Sequence, residues 1–244
     1  MLFRSLELSS LRMEARPSQA FSAFSLSGLE ARMTGLSIFA RGGSSSCKIL
    51  ELDAARADLT SVYADIDWKG EAALLSLARG ASLRLGYSTI LAKAGGFTFL
   101  AIDSSTATVA ASIVHADSPR ARFLVSNGPV VPESILANCL WGFSAYVDAP
   151  LVRGRAFTDG LAALNAYASA EYPNFSERPE LTFSGSIKGY KNLSRQSACA
   201  ESAPPLSWAP ALDVNGSALP TGGTGIRPRS EEQTSELQSP NTIS

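Results

Sequence analysis

The feature that most constrains the fold of this chain is a two-residue alternation of apolar and polar side chains over residues 1–130. Val62, Ala64 and Ile66 alternate with more polar neighbours, and Leu83 and Leu85 begin another such run. Successive side chains of a β-strand point to opposite faces, so each run makes one apolar and one polar face. The pattern therefore predicts a mainly β fold.

Turn-forming residues separate the runs, as at Gly42-Gly43, Gly95-Gly96 and Asn127-Gly128-Pro129. Short turns between half-polar strands are typical of antiparallel sheets. We therefore predict an antiparallel meander that forms a curved sheet or a sandwich. The runs share a recurring strand pattern without an exact internal repeat. Residues 71–79 (EAALLSLAR) are compatible with either a helix or a strand.

The apolar spacing becomes helical after residue 131. A first helix is predicted from Ile135, Leu136, Cys139, Leu140, Phe143 and Val147. A second would begin at Thr158 as N-cap, with Leu161, Leu164 and Ala168 on one face. We thus expect a small helical pair around 133–170.

These patterns divide the chain into four parts. They are an antiparallel β-sheet region at 1–130, a helical pair packed on the sheet at 131–172, a strand followed by loops at 173–228, and a separate tail at 229–244. The tail, RSEEQTSELQSPNTIS, resembles the translation of a sequencing adapter, so we exclude it from fold reasoning and expect that the coding sequence was cut near Pro228.

Charge and hydrophobicity exclude several classes of protein. The 21 Lys and Arg residues are balanced by 22 Asp and Glu residues, so no basic excess exists to bind nucleic acid. A hydrophobic content of 45% is too high for a disordered chain. No run approaches the ~20 apolar residues of a membrane-spanning helix.

Metal and catalytic chemistry are not predicted. Cys47, Cys139 and Cys199 are widely spaced, so they are interpreted as buried or incidental thiols. The single histidine, His115, ends an alternating run and is placed on the apolar face or at its rim. No nucleophile elbow accompanies it. We predict no catalytic residue, no cofactor and no metal.

Two further patterns were considered as sites. Asp65 and Asp67 share one strand face, as paired carboxylates or calcium ligands do, but alternating surface charge is the preferred interpretation. Residues 97–114 are similar to the first phosphate-binding hairpin of actin-like ATPases, although Ser104 stands where that family has Gly. An ordinary hairpin is the preferred interpretation.

Three segments with Leu- and Ala-rich strands, Ser and Gly turns and sparse charge carry a family resemblance. They are FSLSGLEARMTGLSIFA (24–40), ILELDAARADLTSVYADIDWKG (49–70) and ASLRLGYSTIL (81–91). In this residue composition and strand pattern, residues 1–130 resemble the AsmA/TamB-like envelope proteins and type II secretion protein N. The resemblance implies a curved sheet in the periplasm of a diderm bacterium, serving lipid traffic or secretion.

The first functional hypothesis is a non-enzymatic envelope protein that uses an apolar sheet face for lipid handling or secretion-system assembly. An acyl chain along such a face could gain on the order of 10 kcal/mol. Its partners would be lipid or envelope and secretion proteins, with membrane association only through a missing segment. It would be periplasmic or membrane-associated, or cytoplasmic if Met1 is the true start.

The alternative is a β-sandwich binding module or adhesin-like domain that recognises carbohydrate or protein. Trp68, Trp141 and Trp208 are candidate sugar-stacking platforms, although tryptophans are more often part of the core.

Overall fold

The computed structural model describes residues 5–9, 11–15, 21–127, 134–148, 160–167, 172–183, 191–193, 197, 199 and 206–208. In this part of the chain the backbone winds into a β-solenoid of stacked coils. Arg32 lies beside Asp58, and Asp58 lies beside Arg84, so one coil takes about 25 residues. Each coil has three sides, and strands on the same side of successive coils pair in parallel.

Strands are numbered in chain order. The first side is formed by β1 Ser5–Ser9, β4 Glu30–Thr34, β7 Arg56–Thr60, β9 Ser82–Gly86, β11 Thr106–Ala110 and β14 Ile135–Leu136. The second side is formed by β2 Arg12–Ala15, β5 Ser37–Gly42, β12 Ile113–Asp117, β15 Cys139–Trp141 and the first parts of β8 Tyr63–Ala78 and β10 Thr89–Ile102. The third side is formed by β3 Phe21–Ser27, β6 Cys47–Asp53, the second parts of β8 and β10, β13 Ala121–Ser126 and β16 Ala145–Asp148.

The alternation in the sequence separates the inside of the solenoid from its outside. On β8, Ile66 is 1% exposed within the core, while Asp65 and Asp67 point outward. Outward positions of neighbouring coils often carry opposite charges, as where Arg84 Nε donates to Asp58 Oδ1 at 2.5 Å. The apolar faces therefore meet in one continuous core enclosed by all three sides.

The predicted antiparallel meander, as curved sheet or sandwich, is wrong. All strand pairs of the coils are parallel, and the one antiparallel pair among the described residues joins β17 Leu181–Phe183 to β18 Lys191–Leu193. Alternation shows which face of a strand is buried, but it carries no information on the direction of the neighbouring strand. Here the turns lead to another side of the coil rather than back along the same sheet.

The same corner conformation recurs in successive coils before the second side begins. Gly35, Ser61, Tyr87, Ala111 and Ala137 all have positive φ, and each lies two residues before a strand of the second side. Their spacing matches the coil length. Four of the five are not glycine, although L side chains pay about 1 kcal/mol or more in this conformation. At these four corners the usual glycine marker is therefore absent from the sequence.

The predicted helical pair at 133–170 is also wrong in its first half, because that stretch supplies β14, β15 and β16 of a further coil. One helix, α1 Leu161–Tyr167, lies within the second predicted helix, whose proposed N-cap Thr158 is outside the described residues. Residues 71–78 belong to β8, which resolves that ambiguity in favour of strand.

A ladder of polar groups runs through the solenoid interior along one corner. The Val62 N–H donates to Ser88 Oγ at 3.1 Å, and the Ser88 N–H donates to Ser112 Oγ at 3.3 Å. The ladder continues from the Ser112 N–H to Asn138 Oδ1 at 3.0 Å, and from the Asn138 N–H to Asn174 Oδ1 at 3.2 Å. Side chains here satisfy backbone donors that the turning chain leaves unpaired.

Helix α1 closes the ladder and the core at the last coil. Asn165 Oδ1 accepts from the Asn174 N–H at 2.9 Å, and Leu164 is fully buried in the main core. Such a terminal element covers apolar groups that another coil would otherwise cover. Within the described residues, no helix has both the length and the apolar character to cross a bilayer.

Beyond Asn174, described parts of the chain pack against the outside of the solenoid. Leu181 covers an apolar patch of the second side formed by Phe39, Tyr63 and Leu91. Further on, the Leu206 N–H donates to the Tyr87 hydroxyl at 3.0 Å.

A disulfide fastens this segment to β15. Cys139 and Cys199 are bonded across 60 residues of sequence, with their Cα atoms 5.6 Å apart. The interpretation of all three cysteines as buried or incidental thiols is therefore wrong for Cys139 and Cys199, which are buried but form a disulfide instead of free thiols. Cys47 is free and buried in the core, and burial raises the pKa of its thiol to about 11.

The cysteine arrangement predicts a specific thiol count. We expect Ellman's reagent to find no reactive thiol in the native protein, because the Cys47 thiol is shielded and protonated. Denaturation without reductant should expose one thiol per chain, and denaturation with reductant, followed by removal of the reductant, should expose all three. The Cys47→Ala variant should release none without reductant. Three thiols in the unreduced denatured protein would show that the disulfide is absent.

Candidate binding groove

His115, expected on the apolar face or at its rim, lies on the outer surface and outside the core. Ala107 and Val109 point inward on β11, but the corner at Ala111 shifts the alternation by one position. On β12 it is therefore Val114 that is buried, while His115 is half-buried on the outer surface. Alternation cannot be continued across a corner.

Asp65 and Asp67 do share the outer face of β8, but they do not act as a free carboxylate pair. Arg41 Nη2 donates to Asp65 Oδ2 at 2.6 Å, and Arg41 Nη1 donates to Asp65 Oδ1 at 3.0 Å. This two-point contact raises the pKa of the Arg41 guanidinium. Among the described residues, no group of His, Cys, Asp and Glu is arranged to hold a metal ion.

The segment resembling a phosphate-binding hairpin does not form a hairpin. β10 ends at Ile102, the chain turns through Ser104 with a φ of +49°, and β11 then starts on a different side of the coil. Ser105 Oγ donates to the Asp103 carbonyl at 2.8 Å and accepts from the Ala81 N–H at 3.1 Å. The polar residues of this turn thus connect neighbouring coils.

The three tryptophans do not form a shared platform. Trp68 is 2% exposed and its Nε1 donates to the Ser45 carbonyl at 2.7 Å, so it belongs to the core. Trp208 lies over the Arg84 guanidinium with 5.4 Å to the ring centroid. Trp141 is beside His115 on the second side.

A concavity lies on the outside of the third side. Four outward positions stack there in register, with Glu51 on β6, Ser76 on β8, Ala101 on β10 and Val125 on β13. The small side chains of Ser76 and Ala101 leave a depression between the larger neighbours. We call this depression, of about 500 Å³, the groove.

The groove has a small, weakly polar floor and charged rims. Ala78 extends the floor along β8. On the β6 rim, Lys48 Nζ donates to Glu51 Oε1 at 2.7 Å. Asp53 on the same rim is ion-paired with Arg79 from the turn after β8. Hydrogen bonds from Lys48 and from Ser22 lower the pKa of the Glu51 carboxyl, so it stays ionised.

Asp103 lies at the end of the groove where β10 turns toward β11. It is exposed, and its carboxylate accepts a hydrogen bond from Ser104 Oγ at 3.3 Å. No cation pairs with it among the residues that the structure describes. The groove therefore carries one negative charge that its own rim does not neutralise.

Sequence reasoning missed this groove because it depends on which residues of different coils become neighbours. Ser76 and Ala101 are unremarkable in sequence, and they adjoin only through the register of β8 and β10. An alignment of the chain with itself at a spacing of about 25 residues would have revealed the two small positions side by side.

Compared with known protein families, curated proteins and solved structures, the chain matches no family model, no curated protein and no solved structure. Function is therefore inferred from the geometry alone.

Proposed function

We propose that this chain is a non-enzymatic, adhesin-like binding module that holds an extended polymer in the groove of its third side. The observation that supports this is the run of small side chains on two neighbouring coils, flanked by larger residues. Adjacent strands are about 4.8 Å apart, so two coils give a channel about 10 Å wide. That width accommodates one extended polypeptide or glycan chain.

The state of the rim charges favours recognition over catalysis. Glu51 and Asp53 are each held by a cationic neighbour. Asp103 is then the one carboxylate of the described lining that is free to exchange a proton, and it has no second free carboxylate there to act with it as an acid–base pair. Paired charges of both signs instead offer fixed donors and acceptors along the channel.

The fold bears on the two functions predicted from the sequence. Lipid handling required an apolar sheet face open to a ligand, and in the described coils those faces point into the core. That role stays a prediction. The groove supports the binding-module alternative, in a solenoid rather than in the sandwich first expected.

We further propose an oxidising compartment, such as the periplasm or the cell surface. The Cys139–Cys199 disulfide supports this, because structural disulfides persist mainly outside the reducing cytosol. An envelope location also agrees with the partners expected from the sequence.

Filling the groove tests the proposed site. We expect the wild-type protein to bind at least one member of a panel of soluble polysaccharides and extended peptides in biolayer interferometry. Ala101→Trp should weaken that binding at least tenfold, because the indole would occupy the channel. Thr106→Trp, at an exposed outward position of the first side, is the matched control and should bind like wild type. Equal binding by all three proteins, or no binding to any polymer, would refute the proposal.

A further inference from the structure

We infer, on the basis of the proposed function, that the occupant of the groove is an extended peptide segment with a Lys or Arg side chain at Asp103. Among the described residues that line the groove, two are positive and three are negative. Lys48 neutralises Glu51 and Arg79 neutralises Asp53, which leaves the Asp103 carboxylate uncompensated. A cationic side chain is the group that complements it.

The lining favours a peptide over a polysaccharide. None of the described residues that line the groove is aromatic, so among them sugar rings find no flat apolar surface on which to stack. Ser76, Ala78 and Ala101 instead form a shallow floor that can receive small or aliphatic side chains. In an extended peptide every second side chain faces the same way, so alternate residues can face this floor.

The peptide cannot enter by adding a strand to the sheet. β10 is already paired on both edges, with β8 on one and β13 on the other. Recognition must therefore come from side chains and from the charged rims, unlike strand addition at a free edge. The charge of the peptide side chain that lies at Asp103 is then the main source of selectivity.

Three fluorescent peptides of about ten residues test this inference. Ala alternates with Lys in the Lys peptide, with Ser in the Ser peptide and with Glu in the Glu peptide. Fluorescence anisotropy should show the Lys peptide binding at least tenfold more tightly than the Glu peptide at low salt. This preference should shrink as salt screens the exposed charges. Asp103→Asn should weaken binding of the Lys peptide about fivefold, the scale of one exposed ion pair, and leave the Ser peptide unchanged.

Asp117→Asn provides the matched control, since Asp117 is an exposed carboxylate of the second side, outside the groove. It should bind all three peptides as wild type does. If Asp103→Asn has no effect on the Lys peptide, or if the Lys and Glu peptides bind equally, the inference is overturned. The proposed function would still stand if Ala101→Trp abolished that binding or the binding of a polysaccharide. It falls too if Ala101→Trp binds every polymer as wild type does, or if no polymer binds.

Discussion

Replacing Phe123 with Ala is expected to lower the free energy of unfolding by about 4 kcal/mol. The Phe123 ring is fully buried between coils, stacked on Phe99 with 4.9 Å between centroids and edge-on to Phe143 at 5.5 Å. Its removal leaves a cavity that the rigid coils above and below cannot close. Aromatic contacts of this geometry add to the loss from burial alone. Urea unfolding followed by circular dichroism measures the change.

Two variants on the same strand make this test specific. Phe123→Leu keeps most of the buried volume and should cost clearly less than Phe123→Ala. Val125→Ala changes an outward, half-buried residue and should cost less than about 1 kcal/mol. If Phe123→Ala unfolds at the same urea concentration as Val125→Ala, the stacked core between β10 and β13 is not present.

Replacing Asn138 with Leu is expected to destabilise the protein by about 4 kcal/mol, although Leu is more apolar and similar in volume. Asn138 Oδ1 accepts from the Ser112 N–H, and its Nδ2 donates to the Val109 carbonyl at 2.9 Å and to Asn174 Oδ1 at 2.9 Å. The substitution leaves these groups buried without water. Each buried polar group without a partner costs roughly 1–3 kcal/mol.

Asn127→Leu is the matched control for this substitution, because Asn127 is exposed at the surface. It should change the free energy of unfolding by no more than about 0.5 kcal/mol. Amide hydrogen exchange adds a local measurement, since the Ser112 N–H should exchange faster in Asn138→Leu. A stable Asn138→Leu protein with unchanged protection at Ser112 would contradict the ladder.

Much of the strand content was predictable, because burial on a strand is a local property. The run around Val62 to Trp68 matches the start of β8, with Ala64, Ile66 and Trp68 buried. The helix predicted from Ile135 to Val147 failed because strands separated by tight corners reproduce the spacing of a helical face. Ile135, Leu140 and Val147 are buried on three different sides of one coil.

The candidate site could not be predicted, because it consists of neighbours that are distant in sequence. In the sequence, Asp103 lies within the segment 97–114 that is similar to a phosphate-binding hairpin, whereas the structure places it in a groove with Ser76 and Arg79. The sequence did not predict the pairing of Cys139 with Cys199 either, because three widely spaced cysteines allow several pairings.

The sequence by itself determined which side chains of each strand point inward, because the two-residue period is set by the geometry of the extended backbone. Only the tertiary structure decided that the strands stack in parallel coils and that small residues of adjacent coils adjoin to form a groove. Strand direction and register depend on hydrogen bonds between residues about 25 positions apart. A two-residue period describes only one strand at a time, so it contains no information about these pairs.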